Sequence, residues 1–346
     1  MTEERKTKEE PRQPLGILAC LATGFEIVAR HPMILSMPLL LDLFLWLGPR
    51  LSLAPLFQAV EQFFRGVLWT ESVAASPDVQ QATLLMTQTL NTLTMRFNLF
   101  SALTPAPLLG VPSMMASRLT VERPMGARPE MTVASVLVAM FLGVVVPIVG
   151  LGLTALYLRA VGRRVIDETE VPFDKPQTFP ALWGQLIVFA LIVITIVATL
   201  SMIGLSFGAL IGLLSTGLAF FVVTMLFSLI TFTVFHMIFA IPGMVQLRRS
   251  PFRAIQESIL LTRGDFFNAT FLILLILVIS RGFKVVWTLP DPATWANLIG
   301  IAGHAFVSTA LTATLFVFYQ DRLSFLPKPQ PAPVVKEVPA HPLIGE

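Results

Sequence analysis

The sequence predicts an all-α protein, a polytopic integral membrane helical bundle of about six transmembrane helices with additional interfacial amphipathic helices. The first observation is the stretch 184–247, which covers 64 positions without Asp, Glu, Lys or Arg and has His236 as its only ionisable side chain. A membrane-crossing helix needs about 20 apolar residues, so this stretch is long enough for two crossings joined by a short turn. The second observation is composition: 55% of the residues are hydrophobic and 13% are charged, about half the charged share of a soluble domain.

Composition also excludes several classes of function. The formal net charge of +3 is small, and the basic residues lie between the apolar segments rather than on one face, so nucleic acid is not an expected partner. Cys20 is the only cysteine, which rules out an intrachain disulfide and a cysteine-based metal site, and we expect no cofactor. The chain has no phosphate-binding glycine loop, no His-Glu-x-x-His and no Gly-x-Ser-x-Gly. No set of residues therefore predicts catalysis.

The amino-terminal region combines a charged tail with two helical segments. Residues 1–14 are polar and charged, which predicts a disordered cytoplasmic tail. Residues 15–30 place apolar side chains at helical spacing and predict an interfacial helix on the cytoplasmic leaflet, ended by Pro32. Residues 33–53 predict the first transmembrane helix.

A region of mixed polarity follows at 50–130, and we expect it to form a long extracytoplasmic loop. Two amphipathic helical patterns lie within it, at 56–69 and at 79–97. The segment 98–119 is apolar but carries three prolines within eight positions, which disfavours a regular helix. We therefore expect an interfacial or re-entrant segment there, with an additional crossing as the alternative.

Five further apolar segments predict crossings, namely 131–157, 184–205, 213–241, 266–289 and 294–319. The third and fourth crossings carry glycines at or near small-xxx-small spacing, which predicts that these two helices pack closely, at Gly204, Gly208, Gly212 and Gly217. The remainder of the chain, 323–346, is proline-rich and predicts a disordered cytoplasmic tail.

The distribution of Lys and Arg predicts that both termini lie on the cytoplasmic side. Three arginines within 159–164 and four within 248–263 mark these two connections as cytoplasmic. Because the amino end is basic as well, an even number of crossings must separate it from residue 159, which argues against a crossing at 98–119. The resulting arrangement of six crossings places 16 of the 24 Lys and Arg residues inside.

Ionisable side chains within the predicted crossings are the candidate functional residues. Asp42 in the first crossing is costly to bury and is a functional hypothesis by default, with His304 and Arg281 as candidate partners. A cluster of these three with Lys284 could relay protons or line a solute path. The alternative is a structural pair that fixes helix packing, with Arg281 and Lys284 extending to the lipid headgroups. His236 has no metal-ligand neighbours at suitable spacing, and we expect it to serve packing; no metal site is expected.

Residues 250–264 predict an amphipathic helix on the inner membrane surface. Ser250 is typical of an N-cap, Pro251 of the first helical position and Gly264 of the helix end. The pattern separates an apolar face from a polar one, with Phe252, Ile255, Ile259 and Leu260 on the first and Arg253, Gln256, Glu257 and Arg263 on the second. We expect this helix to anchor the connection between two crossings; docking of a partner or sensing of lipid is the alternative.

Two stretches carry a resemblance to known proteins. The run from Ser250 to Ser258, with Leu261–Phe266 after it, resembles a recurring element of bacterial multi-span proteins. These proteins are related to the membrane domain that accompanies some glycerophosphoryl diester phosphodiesterases. The stretch from Arg30 to Arg50 resembles the first span of uncharacterised bacterial membrane proteins. The resemblance implies a helical bundle in the bacterial inner membrane. It implies no diesterase activity, because the chain lacks the soluble catalytic domain with its metal-binding carboxylates and histidines.

These observations favour a non-enzymatic inner-membrane protein that acts as a scaffold or as an accessory subunit of a membrane complex. Its expected partners are the lipid bilayer and other membrane proteins, bound through the loop 50–130 or the helix 250–264. The alternative is a small-solute or lipid transporter in which Asp42, His304 and Arg281 face a polar cavity. An intramembrane enzyme acting on lipid is disfavoured by the missing catalytic residues.

Overall fold

The computed structural model describes residues 13–68, 77–105, 110–118, 122–169 and 177–325. Residues 1–12 and 326–346, which form most of the two predicted tails, lie outside these ranges. The described chain is built almost entirely from α-helices, in agreement with the predicted all-α class. The helices are α1 (Ile17–Arg30), α2 (Ser36–Leu47), α3 (Ala54–Leu68), α4 (Pro77–Arg96), α5 (Val136–Glu168), α6 (Phe179–Gly212), α7 (Thr216–Met237), α8 (Ala240–Leu247), α9 (Pro251–Gly264), α10 (Phe266–Trp287) and α11 (Asn297–Leu323).

Five helical stretches among the described residues are long and apolar enough to cross a membrane. They are α5, α6, α7 continued by α8, α10 and α11. Each overlaps one of the crossings predicted at 131–319, so the chain has the helices of a multi-pass membrane protein. With 34 residues, α6 is about 51 Å long and exceeds the roughly 30 Å of a bilayer's hydrocarbon core.

The amino-terminal segment differs from the single long helix predicted there, because it forms two helices that meet at a sharp bend. α1 and residues Pro32–Leu47 pass the same test of length and composition only together, and they meet at a bend of 90°. α2 alone has 12 residues, about 18 Å, and is too short to cross. The predicted bounds of 33–53 are therefore wrong: the helical path begins in α1 and ends at Leu47. The physical reason is Pro32, which disfavours a helical conformation at His31.

α1 and α2 together follow α11 from one of its ends to the other. At the start of α1, the Leu15 amide donates to Asp321 Oδ2 at 3.0 Å. At the end of α2, Trp46 Nε1 donates to Pro292 O at 2.9 Å, just before α11 begins. The helix predicted at 15–30 is thus present as α1, and it packs lengthwise on α11.

Two short strands join the beginning and the end of the region predicted as the long outer loop. β1 (Arg50–Ser52) pairs in parallel with β2 (Glu130–Thr132), with Arg50 opposite Glu130. Between the strands, α3 and α4 pack against each other and correspond to the two predicted amphipathic segments. The end of the bundle that carries β1, β2 and the α10–α11 connection is called the strand end below.

Residues 98–118, the re-entrant segment, leave the strand end and return to it. Asn98 Oδ1 accepts a hydrogen bond from the Leu51 amide at 3.0 Å, which places the first residue beside β1. Arg118 Nη1 donates to Asn297 Oδ1 at 3.0 Å, which places the last residue beside the start of α11. Both ends of the segment therefore lie at the same end of the bundle.

Between these two ends the segment reaches deep into the bundle. Its described residues contain no α-helix, only the two 3-10 turns Leu99–Leu103 and Met115–Ser117, as the prolines predict. The Leu103 carbonyl packs against Gly150 of α5, about 21 Å along that helix from its first residue. The described residues of 98–118 thus begin and end at the same end of the bundle, and whether they enter a membrane stays a prediction.

α6 and α7 form a hairpin. α6 packs on α5 and both helices contact α9, but apart from Gly204 and Gly208 the buried residues of the pair lie only in the first part of α6 and at the end of α7. The predicted close packing between them is confirmed, since Gly204 faces Leu226, Gly208 faces Val223 and Gly212 faces Ala219 across the pair. No residue within the most apolar window of α7 and α8 is buried, whereas 67% of the corresponding window of α11 is. The core of the protein thus lies around α11, and the hairpin stands at its edge.

Candidate functional site

Asp42 in α2 is fully buried, and its described hydrogen bonds all come from one turn of the re-entrant segment. The Ser113 hydroxyl donates to Asp42 Oδ1, the Met114 amide donates to Oδ2 at 3.0 Å and the Met115 amide donates to Oδ1 at 2.9 Å. The carboxylate thereby acts as an N-cap for the 3-10 turn that follows, supplied by a different helix. These hydrogen bonds hold residues 113–115 of the re-entrant segment against α2.

The predicted cluster of Asp42 with His304 or Arg281 is not formed. Within the described part of the chain, the carboxylate of Asp42 contacts Ser113 and the two amides after it, and no cation. Three donors satisfy a buried carboxylate, so no ion pair is required for its burial. Sequence patterns could not locate these donors, because Ser113 lies 71 positions further along the chain.

The other members of the predicted cluster lie along α10 and α11. Arg281 is exposed, and Lys284 is half-buried and close enough to His304 to act on it electrostatically. His304 Nε2 is 3.4 Å from Ser308 Oγ, while its buried Nδ1 has no partner among the described residues. Among the described residues, no hydrogen bond or ion pair joins Asp42, Arg281, Lys284 and His304 to one another.

Two arginines that the sequence reasoning missed cap the carboxyl end of α2. Arg123 Nη1 donates to Leu47 O at 2.7 Å, and Arg128 donates to Gly48 O at 2.9 Å through Nε and to Leu45 O through Nη2. Cations at this end of a helix interact favourably with its unsatisfied carbonyls and its dipole. The sequence indicated this capping role only weakly, because the positive-inside rule says little about the positions of Lys and Arg in a long outer loop.

Arg50 completes this group, and Arg50, Arg123 and Arg128 are called the arginine collar below. Arg50 is buried, donates to Glu130 Oε1 at 2.9 Å and to Thr94 O at 3.0 Å, and also contacts Met95 O. Burial, and then the positive charges of Arg50 and Arg123, lower the pKa of Arg128. The collar thus concentrates positive charge at the strand end.

A further arginine holds the α10–α11 connection at the same end. Arg118, the last residue of the re-entrant segment, donates to Asn297 Oδ1 at 3.0 Å through Nη1. Its Nη2 donates to Thr288 O at 3.0 Å and to Pro290 O at 3.2 Å. The re-entrant segment is therefore fixed at its return by Asp42 inside the bundle and by Arg118 at the strand end.

An apolar groove of about 260 Å³ runs along α2 beside the re-entrant segment. Its lining side chains come from α2, the re-entrant segment and α5, and they are Met37, Leu40, Leu41, Phe44, Leu103, Val111 and Leu153. Leu40 is 65% exposed and Phe44 is 39% exposed, so the groove opens on the outside of the bundle.

The predicted inner-surface helix is present as α9, with the expected start after Ser250 and end at Gly264. The side packed into the bundle carries Pro251, Ala254, Ser258, Leu261 and Thr262. Of the predicted apolar stripe, Phe252 and Leu260 are exposed and Ile255 and Ile259 are half-buried, while Arg253 and Arg263 are exposed on the surface. Small side chains allow α9 to approach the bundle, which leaves the large apolar ones outside.

A polar network fixes α9 to its neighbours. Ser258 Oγ donates to His236 O at 2.6 Å, which ties α9 to the end of α7. Glu257 accepts from Arg249 at 2.9 Å and lies 3.4 Å from Arg253 and from the Tyr319 hydroxyl of α11. These contacts agree with an anchoring role for α9, and His236 serves packing here, as expected.

The exposed surface of α7 carries a row of hydroxyl side chains, Thr224, Ser228 and Thr231. At about 100° per residue, Ser228 lies about 140° from Val223 and about 160° from Leu226, which face α6, while Thr224 and Thr231 lie about 80–100° from Val223 on the side toward Ser228. The Ser228 and Thr231 hydroxyls donate to the carbonyls four residues before them, at 3.0 and 2.8 Å. These three residues, called the hydroxyl row below, have small side chains and are exposed, and the hydroxyls of Ser228 and Thr231 are bonded within α7.

The described residues contain no group of three or more His, Cys, Asp or Glu side chains that could hold a metal ion. Comparisons with protein-family models, with curated proteins and with solved structures each gave no significant match.

Proposed function

We propose that this protein is a non-enzymatic, multi-pass scaffold or accessory subunit of the bacterial inner membrane, which binds a transmembrane helix of another membrane protein through α7. The observation that carries the proposal is the hairpin of α6 and α7. It packs tightly within itself, but its outer surface is left uncovered by the rest of the chain.

The hydroxyl row supports α7 as the docking face. Interfaces between transmembrane helices are enriched in small residues and in Ser and Thr, because these let two backbones approach closely. Thr224, Ser228 and Thr231 repeat at intervals of four and three residues, so they form one continuous strip along the helix.

The transporter alternative has less support. A permease built on Asp42, His304 and Arg281 requires these side chains to share a polar path through the bundle. Asp42 instead accepts three hydrogen bonds from the re-entrant segment, and the groove beside it is lined by apolar side chains. We therefore assign Asp42 a structural role.

The proposed topology has six crossings with both termini in the cytoplasm. The broken crossing of α1 and α2 supplies the first, and the five long helices supply the others. In this arrangement the α9 connection and the end of α5, which carry seven of the 16 arginines outside the predicted tails, face the cytoplasm, as positive charges near crossings do.

Photo-crosslinking from α7 tests the proposed partner surface. A photoreactive amino acid is placed at Ser228 in the hydroxyl row and, as a matched control, at the exposed neighbour Leu229, about 100° around the same helix. We expect a discrete protein adduct in native membranes from position 228, and much less of it from position 229. Lipid adducts alone at both positions would overturn the scaffold proposal. Solute flux in proteoliposomes that is lost in a stably folded Asp42→Asn variant would support the transporter instead.

A further inference from the structure

The apolar groove is shaped for a single hydrocarbon chain. Four of its lining residues, from Met37 to Phe44, follow one face of α2 over about 10 Å, and Leu103, Val111 and Leu153 form the opposite side. Its volume of about 260 Å³ exceeds the roughly 150 Å³ of an engineered apolar cavity that stays dry and binds benzene. Because no polar side chain lines the groove, a water molecule there would lack hydrogen-bond partners.

The arginine collar lies at the end of this groove. Arg128 binds the carbonyls of Leu45 and Gly48, within one turn of Phe44, the last groove residue on α2. Arg123 binds the carbonyl of Leu47 in the same turn. Both guanidinium groups are thus held at the end of α2 toward which the groove runs.

Hydrogen bonds to backbone carbonyls hold the guanidinium groups of Arg123 and Arg128 in place, but no described carboxylate forms an ion pair with either. Arg123 and Arg128 are half-buried, and their described hydrogen bonds go to backbone carbonyls. Among the described residues, neither forms an ion pair with a carboxylate, whereas Arg50 pairs with Glu130. A guanidinium carries five N–H donors in a planar fork that matches a phosphate group, and both side chains retain donors beyond those bound to carbonyls.

We propose that the collar and the groove together bind one anionic phospholipid, with its phosphate on Arg123 and Arg128 and one acyl chain along α2. Charge complementarity selects the anionic headgroup, and the apolar lining selects the chain. Because Leu103 and Val111 of the re-entrant segment form one wall, the bound lipid also braces this segment against α2 and α5.

Lipid titration of the delipidated full-length protein, followed by native mass spectrometry, tests the headgroup site. Phosphatidylglycerol is compared with phosphatidylcholine of the same acyl chains. We expect phosphatidylglycerol to bind about tenfold more tightly, the effect of one to two charge-assisted hydrogen bonds. The double variant Arg123→Gln/Arg128→Gln should lose this preference. The control Arg159→Gln/Arg163→Gln, which changes two exposed arginines of α5, should retain it.

The groove is tested with Leu40→Trp, which places a bulky ring in it from an exposed position, and with Leu274→Trp on the surface of α10 as the control. We expect the first variant to weaken phosphatidylglycerol binding about tenfold and the second to leave it unchanged. Equal affinity for the two lipids in the unmodified protein would overturn the proposal, as would equal weakening by both arginine double variants. Full competition by inorganic phosphate together with normal binding to Leu40→Trp would identify a phosphate site and overturn the lipid assignment.

Discussion

Gly24 of α1 lies directly against Thr314 of α11. A Cβ atom at position 24 would lie 2.7 Å from the Thr314 amide nitrogen and 2.8 Å from the Ala310 carbonyl oxygen. Both of these are backbone atoms, which cannot rotate away as a side chain can. The lengthwise packing of α1 on α11 therefore depends on the absence of a side chain at this position.

Gly24→Ala should consequently destabilise the protein although alanine is the better helix former. We expect the free energy of unfolding to fall by about 1–3 kcal/mol, the cost of overpacking a tight contact. Gly143→Ala in α5 is the matched control, because no atom lies within 4 Å of the added Cβ there. That variant should be neutral or slightly stabilising. Unfolding in mixed micelles, followed by tryptophan fluorescence, measures both; equal stability of the two variants would contradict the packing described here.

Replacing Asp42 should loosen the re-entrant segment. Asp42→Ala removes the acceptor of the Met114 and Met115 amides and leaves them buried, and we expect a loss of about 2–4 kcal/mol of stability. Limited proteolysis should cut within 98–118 faster than in the unmodified protein. The control Asp291→Ala removes an exposed carboxylate of the α10–α11 connection and should change the cleavage little. Unchanged stability and protection in Asp42→Ala would refute the structural role of Asp42.

The packing of α6 on α7 predicts a specific crosslink. A Cβ at Gly212 would lie 3.6 Å from the Cβ of Ala219, within the range of natural disulfides. In a Cys20→Ala background, Gly212→Cys/Ala219→Cys should form a disulfide on mild oxidation, detected by a change in electrophoretic mobility after cleavage between the two positions. Gly212→Cys/Phe220→Cys is the control, because Phe220 is 75% exposed. Comparable oxidation of both pairs would argue against the hairpin register.

The proposed topology predicts opposite accessibility for two exposed alanines. In intact bacteria lacking the outer-membrane barrier, a membrane-impermeant maleimide should label Ala127→Cys, beside the arginine collar. It should label Ala160→Cys, near the end of α5, only after the membrane is permeabilised. Cys20 is buried and serves as the internal background. The reverse labelling pattern would invert the proposed orientation of all six crossings.

Some features of the site could be predicted from sequence patterns, and others could not. The start and end of α9 are local features of Ser250, Pro251 and Gly264, and they were predicted correctly. Which side of α9 packs into the bundle could not be read from the pattern, because an amphipathic pattern does not state how closely a helix approaches its neighbours. The partner of Asp42 was missed for a similar reason, since its donors are mostly backbone amides, which every sequence position offers.

By itself, the sequence determined the all-α class, the five long apolar helices and the close packing of α6 on α7, because long apolar runs and glycine spacing act locally and need no knowledge of distant residues. Only the tertiary structure decided that the first crossing bends at Pro32, that 98–118 re-enters the bundle and that Arg123 and Arg128 cap α2. Each of these depends on contacts between residues far apart in the chain, whose free energies outweigh the local preference of either partner alone.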